Sequence, residues 1–146
     1  MAQFVKDVMT PAIASVSPDA SLVEAAQLMR SQDIGDVLIA EDGRLLGVLT
    51  DRDIALRAVA DGVDPLTVSC HSVCTREPVT VGPEDEVRAA VRLMREHAVR
   101  RLPVVEGGRP LGVISIGDLL RDQDPGSALA DISRASPNTW PGSASA

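Results

Sequence analysis

Shifted by 65 residues, the chain matches itself without a gap. Pro18 falls on Pro83, Leu28-Met29-Arg30 on Leu93-Met94-Arg95, and Gly43-Arg44 on Gly108-Arg109. Leu46-Gly47-Val48 falls on Leu111-Gly112-Val113, and Asp53 on Asp118. From Met9/Cys74 to Ile54/Leu119, 14 of 46 positions are identical and most others keep their polarity. Register held over such a length marks a duplication, so the fold must be two copies of one unit. A length of 146 residues suits two half-size units that share a core.

Each copy carries the same order of signals. Ser15-Val16 and Thr80-Val81 are short strand candidates. Ser21-Leu22-Val23-Glu24 has capping-box spacing, and Leu22, Ala25, Ala26 and Met29 follow at helical spacing. In the second copy Pro83 stands at the expected helix start, and Val87, Ala90, Val91, Met94 and Ala98 form the matching stripe. A hairpin comes next. Residues 37–40 and 45–49 flank Glu41-Asp42-Gly43-Arg44, where Asp-Gly supplies the positive φ angles of a tight turn. Residues 102–105 and 111–114 flank Gly107-Gly108. A second helix begins near Arg52 and ends before Gly62, and its counterpart begins near Gly117.

The fold class is therefore mixed α/β (α+β), with two β-α-β-β-α repeats packed as a pseudo-two-fold pair. The expected boundaries are 4–60 for repeat 1, 61–69 for a linker carrying Gly62, Asp64 and Pro65, and 70–121 for repeat 2. A flexible C-terminal tail is expected over 122–146, within which 127–134 could form a short helix.

Phe4 and Trp140 are the only aromatic residues, so Val, Leu, Ile, Ala and Met must build the core. A net charge of −7 with no basic run argues against nucleic acid, whose affinity comes from neutralised phosphates. Lys6 is the only lysine among 14 Lys and Arg, which reads as coding bias of a GC-rich bacterial genome. No stretch approaches the ~20 apolar residues that span a bilayer, and no apolar signal-peptide core opens the chain. A soluble, cytoplasmic protein is expected.

The strand exits carry the chemistry. Gly47-Val48-Leu49-Thr50-Asp51-Arg52-Asp53 and Gly112-Val113-Ile114-Ser115-Ile116-Gly117-Asp118 each place a hydroxyl at a strand end and an acid three residues on. Helix-start amides favour an anion, a hydroxyl can donate to phosphate, and a carboxylate can accept from both hydroxyls of a ribose. The same pattern is also what a plain helix cap needs, in both copies.

At this point the chain resembles a known family. Asp7-Val8-Met9-Thr10, Arg101-Leu102-Pro103-Val104-Val105 and the two Gly-x-x-Thr/Ser-x-x-Asp exits resemble those of CBS domains, named after cystathionine β-synthase. The pair resembles a Bateman module over roughly residues 4–121. Leu49-Thr50-Asp51-Arg52-Asp53-Ile54 is similar to the small stand-alone two-CBS proteins of actinobacteria, of the hypoxic-response type. The resemblance implies a disc with two clefts that take an adenosine compound such as AMP, ATP or sometimes NAD as a regulator. It implies one cleft from Thr10, Ile13, Ile34 and Gly35 with Arg100, Ser115, Gly117 and Asp118. The other would combine Thr75, Pro78, Val99 and Arg100 with Gly35, Thr50, Arg52 and Asp53. Asp53 and Asp118 would hold ribose, while Thr50 and Ser115 would face phosphate. No cofactor is required beyond the nucleotide as regulatory ligand, and an unidentified protein target is implied.

The copies are not equivalent. The first hairpin begins Gly35-Asp36-Val37-Leu38 and lacks the Leu-Pro-Val of the second, and Asp36 is an acid where its repeat partner is Arg101. If Asp36 faces a cleft, that side, the one of Thr50, Arg52 and Asp53, would repel phosphate unless Arg52 compensates. The cleft built around Asp118 and Arg100 is thus the better candidate. The alternative is an interaction or stress-response protein whose clefts are vestigial and bind no nucleotide. An enzyme finds no support, for want of a nucleophile-His-acid trio, a metal cluster or a Gly-rich phosphate loop.

Cys70-His71-Ser72-Val73-Cys74 has spacing that could begin a zinc site. The 65-residue offset places Cys70 on Val5 and Cys74 on Met9, both apolar anchors, so buried core cysteines are expected and no metal. Ile54, Ala55, Ala58 and Val59 are the expected apolar patch of a homodimer.

Overall fold

The computed structural model describes residues 3–11 and 13–135. The part of the expected tail from 136 onward lies outside the described residues. Among the described residues the strands are β1 (Ser15–Val16), β2 (Asp36–Glu41), β3 (Arg44–Thr50), β4 (Thr75–Arg76), β5 (Arg101–Glu106) and β6 (Arg109–Ser115). The helices are α1 (Leu22–Gln32), α2 (Asp51–Asp53), α3 (Cys70–Val73), α4 (Val87–His97), α5 (Ile116–Gln123) and α6 (Ala128–Arg134). A π-helical segment, Ile54–Val59, continues α2.

The chain divides into two compact units. Of the described residues, one contains 14–78 and the other 3–11 and 13 with 79–135. Each lead-in segment thus packs with the other copy's hairpin. In the 14–78 unit the sheet order is β1-β2-β3-β4, with β1 parallel to β2 and the rest antiparallel. Val16 pairs with Ile39 and Val48 with Thr75. In the other unit β5 and β6 pair, flanked by single bridges of Val81 to Val104 and of Thr10 to Val113. These four pairings coincide under the 65-residue shift. So do the register shifts after Ile39 and Val104.

Local chemistry accounts for most boundaries. Ser21 caps α1 by accepting from the Glu24 amide at 3.1 Å. Asp33 and Ala98 end α1 and α4 in the left-handed region, at φ 55° and 54°. Asp42 and Gly43 take φ 54° and 76° in the first hairpin turn, and Gly107 and Gly108 take 60° and 82° in the second. The expected start of the fourth helix at Pro83 is corrected. Residues 82–85 form a turn in which the Asp85 carboxylate accepts from the Gly82 amide, while the Pro83 carbonyl accepts from the Lys6 amide. That bracing of the lead-in delays helix α4 to Val87. The short helix anticipated over 127–134 is present as α6, capped by Ser127.

Each unit has its own apolar cluster. One gathers Leu22, Ala25, Met29, Val37, Ile39 and Leu49, and the other Val5, Val87, Ala90, Met94, Leu102 and Ile114. Two expected stripe positions, Ala26 and Ala98, are exposed, because α1 points Ala26 outward and Ala98 is already the helix cap. The expected dimer patch is likewise redrawn. Ala58 is buried and Ile54 packs on the core, while Ala55 and Val59 are exposed as expected and are joined in this part of the chain by exposed Leu56, Val63 and Leu66.

Candidate functional site

Both strand exits fold as reciprocal helix caps. Thr50 accepts from the Asp53 amide at 3.0 Å while Asp53 Oδ2 accepts from the Thr50 amide at 2.9 Å. Ser115 accepts from the Asp118 amide at 3.1 Å and Asp118 Oδ2 from the Ser115 amide at 3.0 Å. The hydroxyl and acid of each motif therefore organise the helix start first. Any ligand chemistry rests on the lone pairs left over.

The glycine of each motif has a steric role that the sequence did not reveal. A Cβ on Gly47 would lie 2.8 Å from both Cys74 Sγ and the Thr75 carbonyl oxygen. One on Gly112 would collide with the Thr10 carbonyl and sit 3.1 Å from Pro11 Cα. Glycine at these points lets the lead-in cross the last hairpin strand, and the crossing brings a threonine towards the exit turn. In one unit the Thr10 hydroxyl donates to Asp118, at 3.2 Å to Oδ1 and 3.4 Å to Oδ2, across 108 positions of sequence. Among the described residues no equivalent bond joins Thr75 to Asp53.

Ser115, Gly117, Asp118 and Thr10 thus come together in one unit. The Arg100 carbonyl accepts from the Ile116 amide at 3.0 Å, fixing Arg100 beside the same turn with its side chain exposed. Ile13 belongs to this unit and is exposed. Val99 does too, packed on its core. The other unit holds Thr50, Arg52, Asp53, Gly35, Ile34, Thr75 and Pro78. There the Gly35 carbonyl accepts from the Asp51 amide at 2.9 Å, Ile34 packs on the core, and Arg52 is exposed. Thr75 is exposed and pairs with Val48.

The two acids differ in their surroundings. Asp118 is buried and ion-paired with Arg121 at 2.6 Å, whereas Asp53 stands 3.6 Å from Arg57. Arg121 and its partner Ser133 carried no signal in the repeat, because neither lies within the duplicated span.

The cysteines occupy core positions. Cys70 and Cys74 sit in the apolar cluster, and burial pushes the Cys70 thiol up to about 11 and raises that of Cys74. The Cys70 thiol donates to the Ser21 carbonyl and the Cys74 thiol to the His71 carbonyl. His71 Nδ1 is buried without a partner. Among the described residues no three His, Cys, Asp or Glu side chains group as metal ligands. With both thiols turned to backbone carbonyls and no further ligand beside them among the described residues, the pair does not make up the four-ligand set of a structural zinc.

Comparison with known proteins agrees with the duplicated fold. The CBS domain model matches residues 5–59 and again 70–124. The chain belongs to the CBS-domain family. It is 41% identical over 133 residues to the CBS domain-containing protein YhcV of Bacillus subtilis, covering 88% of this chain and 94% of that one. The crystal structure of Hypoxic Response Protein I with two coordinated zinc ions is similar at TM-score 0.75 and 34% identity, covering 81% and 97% of the two chains. The CBS domain protein PAE2072 of Pyrobaculum aerophilum, complexed with AMP, is similar at TM-score 0.73 and 30% identity, covering 80% and 89%. CBS-domain pairs therefore account for the α/β repeats and for the resemblance to the hypoxic-response type. Among the described residues no helix is long and apolar enough to cross a membrane.

Proposed function

We propose that this CBS-domain protein is a non-catalytic regulatory module that binds an adenine-type nucleotide, AMP-like or ATP-like. The observation that carries the reading is the convergence of Thr10 with the Ser115–Asp118 helix start. A hydroxyl, a carboxylate and a helix N-terminal turn at one spot match the phosphate and ribose of a nucleotide. The AMP bound to PAE2072 supports the ligand class. Ile13, Arg100 and Gly117 complete this group within the same unit. Thr50, Arg52, Asp53, Thr75 and Pro78, with Gly35, form the equivalent set in the other unit.

The repeats of this reading span 4–60 and 70–121, joined by the linker 61–69 and followed by the tail 122–146. The protein acts in the cytoplasm as a homodimer through the exposed strip Leu56, Val59, Val63 and Leu66, and passes its signal to a protein target. It uses neither nucleic acid nor membrane. The zinc ions belong to Hypoxic Response Protein I; the cysteines here serve the core.

A second reading, an interaction protein with vestigial clefts, draws on one observation. Both Thr/Ser-x-x-Asp motifs are fully accounted for as helix caps. Thermal shift with AMP, ADP, ATP, NAD and S-adenosylmethionine separates the two. A bound ligand at a hundredfold excess over Kd adds about 2.7 kcal/mol to stability. No shift at millimolar concentration of any of these compounds favours the second reading.

A further inference from the structure

We propose that α6 is a built-in latch on the Asp118 site, held by Arg121, and that nucleotide entry at this turn releases it. The inference rests on the nucleotide reading above and adds its regulation. A carboxylate has about four lone-pair positions. Asp118 Oδ1 already accepts from Arg121 Nη2 at 2.6 Å and from the Thr10 hydroxyl at 3.2 Å. Oδ2 accepts from the Ser115 amide at 3.0 Å, with Thr10 at 3.4 Å. The Asp118 side chain keeps only 5% of its surface exposed. With Ser115 and Thr10 keeping their places in the site, a ribose diol that donates two hydroxyls to this carboxylate displaces Arg121.

Arg121 does not act alone. Its other terminal nitrogen, Nη1, donates to Ser133 Oγ at 2.5 Å on α6. One guanidinium therefore ties the site acid to the C-terminal helix. The same helix lies directly on the turn, since a Cβ at Gly117 would be 2.5 Å from Ser133 Oγ. Ala130, fully buried, seats α6, yet it stands outside the apolar cluster of its unit. The helix can thus leave without breaking that core.

The first copy has no such device. Shifted by 65 residues, α6 corresponds to residues 63–69, which form a loop, and Asp53 meets its arginine only at 3.6 Å. The latch makes the Asp118 site conditional. A site open only a fraction of the time shows a Kd raised by that fraction, and a ligand that opens α6 must bind tighter when α6 is already open.

The test is calorimetric titration of AMP into the whole chain, Ser133→Ala and Ala130→Asp, with hydrogen exchange of the 130–135 amides with and without AMP. The expected result is AMP binding about tenfold tighter in Ala130→Asp and severalfold tighter in Ser133→Ala, with AMP speeding exchange across α6 in the unaltered chain. Equal affinity in all three, with α6 protection unchanged by AMP, overturns the latch and leaves the nucleotide reading standing. No binding in any of them overturns both. If Ala130→Asp loses its cooperative melt, Ser133→Ala and the exchange data decide.

Discussion

Arg101 lies directly across the β5–β6 hairpin from Ser115, and the same register in the first hairpin sets Asp36 across from Thr50. The two exit turns are alike in backbone and opposite in the charge beside them. A cation near a phosphate-facing hydroxyl attracts an anion, and a carboxylate in its place repels one.

Exchange of those charges should therefore move nucleotide affinity. Asp36→Asn is expected to strengthen ATP binding about fivefold, and Arg101→Ala to weaken it by a similar factor, each roughly 1 kcal/mol for a partly exposed pair. Titration at two salt concentrations checks this, since the effect should shrink at higher ionic strength.

Gly112→Ala should destabilise the fold by about 1–3 kcal/mol, because the added methyl meets backbone atoms of Thr10 and Pro11 that cannot turn aside. Gly126 is the control. It faces open space without a positive φ, so Gly126→Ala should leave the melting temperature within a degree or so. Equal melting temperatures for the two variants would remove the crossing of the lead-in over β6 from the account.

Cys70 should resist alkylation in the folded protein at pH 8, since burial holds the thiol protonated up to about 11. The native state keeps this proton where the unfolded chain, near its ordinary value of about 9, has lost it. Stability should consequently fall as pH rises from about 9 to about 11 and be insensitive to this group below that window. Rapid labelling without unfolding, or one zinc per chain in protein purified without a histidine tag, would contradict the core assignment.

Two carboxylates can replace the apolar strip to test the assembly. Val59 and Leu66 are 68% and 69% exposed, an unusual cost for a lone molecule in water. Val59→Asp with Leu66→Glu should convert a dimer to a monomer in light scattering at micromolar concentration. A monomeric mass for the unaltered chain would rule this surface out as a dimer contact.

Much of this was legible in the residues. The 65-residue shift carried the extended segments at Val16 and Val81, the hairpin turns at Asp42-Gly43 and Gly107-Gly108, and the burial of Cys70 and Cys74 at the positions of Val5 and Met9. The start of α4 was not legible. Pro83 looks like a helix opener, but its carbonyl is taken by Lys6 from far along the chain. Non-local pairing also explains why the roles of Gly47 and Gly112 escaped, since the obstructing atoms belong to Cys74, Thr75, Thr10 and Pro11. The repeat was silent about Arg121 and Ser133 because both lie beyond the duplicated span, and nothing in the first copy answers to α6. Helix periodicity failed to separate Ile54 and Ala58 from Leu56 and Val59, where the helix widens into its π-helical segment.

The central claim is that an adenine nucleotide binds through the exit-turn carboxylates. Calorimetry of AMP and ATP against the whole chain and against Asp53→Asn with Asp118→Asn addresses it most directly, because asparagine keeps an acceptor for each helix cap while removing the charge. The account expects saturable binding to the unaltered chain and at least a tenfold loss in the double variant, measured at a temperature where the variant is still folded, because Asp118→Asn also gives up the ion pair with Arg121. Binding that survives both substitutions undiminished, or no binding to the unaltered chain at millimolar nucleotide, would contradict it.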